Sequence, residues 1–286
     1  MQTPCFARPV RLLLRSSCRR ALVPHRTWVV RGQATVATSG PAVTATNRAQ
    51  ATLKRFWKTV GIEQRDGAFA VTLDNRPLKT PSGTPLLIPQ DKRLVATLIA
   101  AEWESQETLL KPHALPLTSL ASRAIDAFKD EDMRKEARAQ LLKYLETDTI
   151  CFHQDRPPAL VSLQRKHWDP LLAWARSTFG VDIHTTDSFV VLSQPPETLK
   201  KFDEVMSEFD FWEMAAMERA TYASKSFLIA LALVMRNFTV EEAAKAAHVE
   251  VNSQIELWGE VEDSHDVDYH DIRRQLGSAA CILSHL

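Results

Sequence analysis

The hydrophobic period of this chain changes once, near Asp91, and does not change back. Upstream, Phe69, Val71 and Leu73 alternate with smaller or polar residues, and Asp74-Asn75-Arg76-Pro77 and Pro81-Ser82-Gly83 interrupt the pattern. Short alternating runs bounded by turn residues specify a small antiparallel sheet. Downstream, Leu94, Val95, Leu98, Ile99 and Trp103 fall on one helical face, and Leu120, Ala121, Ala124 and Ile125 form another within 117–128. Helical spacing continues over 131–145, over 159–179 with Gly180 as the stop, over 197–209, over 211–236 and from Thr239 onward. Thr239 with Glu242 three residues later is a capping-box sequence and sets a helix start. Weak strand signals survive only near 149–153 and 189–192. The expected fold is α+β, a small β-rich N-terminal domain over 51–128 followed by a larger all-α domain over 129–286.

Charge divides the chain differently. Arg8, Arg11, Arg15, Arg19, Arg20, Arg26, Arg31 and Arg48 occupy the first fifty residues, and the first acid is Glu63. Arg among Leu, Val, Ala, Ser and Thr with no carboxylate is the composition of a mitochondrial transit peptide, expected over 1–50. Taking those eight from the 35 basic residues leaves 27 against 35 acidic, so the body is acidic. An acidic body disfavours nucleic acid, whose phosphates need Lys and Arg. The longest apolar run, 227–235, falls well short of the roughly 18 residues that a membrane span needs. Cys5 and Cys18 leave with the presequence, and Cys151 and Cys281 lack metal or disulfide spacing.

Several chemistries cannot be written in these residues. The eight glycines are never closer than six positions, so neither the dinucleotide fingerprint nor the Walker loop exists. No serine lies between glycines in a nucleophile elbow. Glu262 and His265 have the Glu-x-x-His spacing of a di-iron bundle, but no other histidine follows a Glu by three, so the second pair is missing. A metal-dependent enzyme using the Glu262/His265 face and a mitochondrial nucleic-acid-binding protein are the rival readings. The expectation is a monomer with no enzymatic activity and no cofactor.

If 251–276 is one helix, Val251, Ile255, Trp258, Glu262, His265, Tyr269, Ile272 and Leu276 form one stripe of alternating four- and three-residue steps. An acid and a histidine in the middle of an apolar stripe are costly to bury unless paired. Either they are satisfied internally, by each other or by a neighbouring Arg, or they meet a partner. Gly259 within such a helix points to a kink or a close backbone approach. The residues expected to contact a partner are Trp258, Glu262, His265 and Asp266.

Several segments resemble the mitochondrial assembly chaperones of the ATP synthase catalytic head that bind its alpha subunit. They are Arg55-Phe56-Trp57, the run from Leu73 to Pro81, Ala101-Glu102-Trp103-Glu104-Ser105-Gln106, Pro116-Leu117-Thr118, Asp148-Thr149-Ile150-Cys151, Trp168-Asp169-Pro170, and Trp258-Gly259 through Glu262 to His265-Asp266. The resemblance implies a matrix protein without enzymatic activity that holds free alpha subunit soluble until the beta subunit replaces it. It also implies that Glu262 occupies an acidic position tied to chaperone function. Ser264 departs from the pattern, where a small apolar residue is more usual.

Overall fold

The computed structural model describes residues 54–188 and 193–285. The presequence and the strand signal at 189–192 lie outside them. Strands β1 (Val60–Arg65) and β2 (Ala68–Leu73) form an antiparallel hairpin with Val60 opposite Leu73. On its other edge β2 pairs first with β4 (Leu87–Pro89) and then with β3 (Arg76–Pro77). Asp74 and Asn75 both take positive φ, 47° and 66°, the conformation that lets a two-residue turn follow strand twist. The Asp74 carboxylate accepts from the backbone N–H groups of Lys58 and Thr59, which hold its pKa below the usual range. Strict alternation in β2 gives way after Phe69, because Ala70, Val71, Thr72 and Leu73 are all buried.

Helix α1 (Arg93–Glu104) lies against the sheet through Val95, Ala96 and Ile99. Next come α2 (Pro116–Asp126), α3 (Glu131–Glu146), α4 (Pro158–His167), α5 (Asp169–Phe179) and α6 (Pro196–Ser207). The series ends with α7 (Phe211–Ser224), α8 (Phe227–Val234), α9 (Val240–Ala247), α10 (Val249–Trp258) and α11 (Glu262–Ile282). The α+β class expected from the period change is the observed one. Helix α7 packs against α2, α3, α8 and α11, and every residue of α8 is buried. The boundary drawn after residue 128 falls between α2 and α3, and one hydrophobic core runs from Trp57 to Leu283 across it.

Three expected helices are each two. The 159–179 helix breaks at Trp168, because Pro170 cannot continue an existing helix but suits the first turn of a new one. Trp168 is buried there and its Nε1 donates to the Ala246 carbonyl at 2.8 Å. The 211–236 helix stops at Lys225, which adopts φ 57°, and restarts where the Ser226 hydroxyl accepts from the Ile229 N–H. The 251–276 helix breaks at Gly259. The 149–153 strand signal resolves into a 3-10 turn, Thr149–Cys151, followed by a single bridge between Phe152 and Thr186. The Thr239/Glu242 capping box forms as the sequence predicts. No helix of the described residues is long and apolar enough to cross a membrane.

The sheet end and the chain end are tied together. Lys92 is buried just before α1, and its Nζ donates to the Ile282 carbonyl at 3.0 Å, at the end of α11. The same ammonium lies 6.0 Å from the Trp212 ring centroid. Burial pushes its pKa down, against the pull of Asp210 and Asp91.

Candidate functional site

The expected stripe over 251–276 becomes a corner. Gly259 takes φ 86° and ψ 167°, a region essentially reserved for glycine, and α10 ends there. Two residues later Val261 starts α11 with no side-chain cap of its own. Its N–H instead donates to Nδ1 of His265 at 2.9 Å. His265 is therefore half-buried as part of the helix start, while Glu262 and Asp263 lie in the first turn, where a helix N-terminus favours negative charge. No hydrogen bond or ion pair joins Glu262 to His265 among the described residues, so the internal-pair reading is not the one the geometry takes. Glu262 and Asp266 are both exposed.

The break divides the stripe by environment. Ile272 and Leu276 are in the core, whereas Trp258 is 78% exposed and Tyr269 nearly half exposed. Off the stripe, Val267 at 64%, Val261 at 61% and Leu257 are also exposed. Five large apolar side chains thus stand in water within thirteen residues of one corner, and contiguous exposed apolar surface marks interaction sites. From Glu250 to Ile272 the chain carries eight carboxylates and no Lys or Arg. Among the described residues, only Asp271 of the eight has an ion pair, with Arg274. Among the described residues no three His, Cys, Asp or Glu side chains converge as a metal site.

The base of the corner is fixed by two arginines. Arg273 makes a bidentate pair with Glu241 of α9 at 2.9 and 3.0 Å and stacks 3.4 Å from the Tyr269 ring centroid. That pair keeps the Glu241 pKa low. Arg274 donates to the His113 carbonyl at 2.8 Å, clamping α11 to the Pro112–Ala114 turn. Between these parts runs a shallow groove of about 480 Å³ lined by His113, Val267, His270 and Arg274. Trp258, Glu262, His265 and Asp266, the four residues expected to contact a partner, all sit on or beside this corner. Leu257, Val261 and Val267 were not predicted. Their signal is an apolar residue interleaved with acids off the core-facing stripe. Nothing local in sequence places His113 beside Arg274, 161 positions away.

The ATP12 chaperone protein family model matches residues 54–176. Over 241 residues the chain is 32% identical to "Protein atp12, mitochondrial" of Schizosaccharomyces pombe, covering 82% of this chain and 83% of that protein. The chain belongs to the ATP12 chaperone family. It is also 29% identical over 278 residues to the Saccharomyces cerevisiae mitochondrial ATP12 protein, covering 83% of this chain and 86% of that one. The crystal structure of Atp12 from Paracoccus denitrificans superposes with a TM-score of 0.68 at 29% identity, over 81% of this chain and 97% of the other. The span matched by the ATP12 family model ends within α5 and so includes neither α10 nor α11.

Proposed function

We propose that this chain is an ATP-independent assembly chaperone of the mitochondrial matrix that binds free alpha subunit of the ATP synthase catalytic head. It keeps the alpha subunit from aggregating and releases it when the beta subunit occupies the same surface. Membership of a chaperone family supports the class, and relatives named as mitochondrial support the location. The observation that carries the client reading is the corner, where exposed Trp258, Val261 and Val267 lie among eight carboxylates of which, among the described residues, only Asp271 has a cationic partner. An aromatic anchor within a polar rim is the usual layout of a binding hot spot. Trp258 supplies apolar contact area, and Glu262 and Asp266 select a basic or N–H-rich client surface. His265 holds Val261 and the helix start in position beneath them. The absence of any glycine-rich phosphate loop in the sequence supports independence from ATP.

The test is co-expression of the chain with the alpha and beta subunits separately, followed by affinity capture and quantification of soluble client. Retention of alpha and not beta is the expected result. Retention of neither refutes the assignment.

A further inference from the structure

We infer that the client surface does not end at the α10–α11 corner but continues over the Pro112–Leu115 turn into a second, larger groove that seats an extended apolar segment of the same client. The inference rests on the chaperone reading above. The groove measures about 1110 Å³ and runs between α1, α2 and the turn after β3. Its apolar lining is Pro81, Trp103, Leu110, Pro112 and Leu115, and Ser119 also lines it. Ordinary small-molecule sites are enclosed and span roughly 300–1,000 Å³. An open trough above that range suits several residues of extended chain.

Continuity argues for the same occupant. His113 lines the corner groove, while its neighbours Pro112 and Leu115 line the larger one. The clamp from Arg274 to the His113 carbonyl fixes the turn whose residues line both grooves. A second set of exposed apolar side chains adjoins the trough lining. Phe56, 77% exposed, stacks edge-on against Trp57, which stacks against Trp103 of the groove wall, and Leu109 is exposed next to Leu110.

The trough is built to stand open. Burial raises the Glu102 pKa, yet its carboxylate accepts from the N–H groups of Leu117 and Thr118 at 2.6 and 2.9 Å and from the Thr118 hydroxyl at 2.7 Å. Trp103 Nε1 donates to the same hydroxyl at 3.1 Å, so the indole wall is locked to the start of α2. The two grooves also differ in charge. The corner is strongly acidic, whereas the trough balances Lys79 and an Arg123 paired to Glu218 against Asp126, which accepts from the Thr80 hydroxyl. The client segment is therefore basic or N–H-rich where it meets α11, and apolar where it crosses Trp103.

The test uses the full chain with alpha subunit. Ser119→Trp fills the trough from an exposed position, with Ser119→Ala as control for the Arg219 hydrogen bond. Ser119→Trp is expected to melt like the wild type and to weaken alpha capture at least tenfold, while Ser119→Ala captures normally. A photoreactive side chain in place of Leu110 is expected to crosslink to alpha, and it keeps the test decisive if the Trp variant fails to fold. If wild type captures alpha, equal capture by a folded Ser119→Trp or failure of the Leu110 crosslink overturns the inference and confines the client to the corner. If wild-type chain captures no alpha, the functional reading itself falls, and this one with it.

Discussion

Replacing Gly259 with alanine separates a corner from a continuous helix by the sign of a stability change. At φ 86° and ψ 167° an alanine sits in a region that costs about 1–3 kcal/mol. Nothing lies within 4 Å of the added Cβ, so the cost is purely conformational. Reduced freedom of the unfolded chain returns roughly 0.4–1 kcal/mol, leaving a net loss of about 1–2 kcal/mol. Gly277 supplies the control, because it lies inside α11 with an ordinary φ and with open space around its Cβ. There alanine is expected to stabilise by about 1 kcal/mol, the ordinary difference between glycine and alanine in a helix. Urea unfolding measures both, as shifts of midpoint at constant slope. If 251–276 were one helix, both substitutions would raise the midpoint. A Gly259→Ala midpoint at or above wild type therefore refutes the corner.

Glu262→Lys is expected to cut alpha capture by tenfold or more while costing about 1 kcal/mol of stability at most, since the side chain is exposed and its structural contribution is the charge it places in the first turn of α11. Severe loss of thermal stability in the isolated variant would return Glu262 to a structural role. Trp258→Ala is expected to leave unfolding unchanged and to cost about 2 kcal/mol or more of client affinity, read by titration with soluble alpha subunit. Equal affinity would remove Trp258 from the interface. Burial raises the Asp148 pKa to about 6 from 3.8, even though the N–H groups of Ile150 and Leu228 donate to its carboxylate. Folding therefore favours its protonated form, so its contribution is full below about pH 4 and is lost as pH rises through about 6. Unfolding free energy of wild type measured against Asp148→Asn should fall by about 3 kcal/mol between those limits, and a pH-independent difference would refute the assignment.

The sheet, the helical majority and the Thr239 cap were legible because each depends on neighbours in sequence. The breaks were not. Apolar spacing runs unbroken through Trp168, Lys225 and Gly259, since both helices at each break bury a face in the same core. What stops them is a local backbone state: Pro170 in a first turn, Lys225 and Gly259 at positive φ. Glycine at 259 signalled a disturbance without fixing its kind. The four expected contact residues lie together because they flank that one break. The trough had no sequence signature at all, since its walls come from segments around 79–81, 103 and 110–127 that only the folded sheet and helices bring together.

The last helix leads a double life: residues 272–282 supply core and residues 262–269 supply the exposed corner. Its far end is held by Lys92, 190 positions away in sequence, and its middle by Arg273 and Arg274 to α9 and the 113 turn. A copy truncated before α11 loses the core residues Ile272, Leu276 and Ile282 together with the acidic corner, so stability and the corner are removed by the same cut.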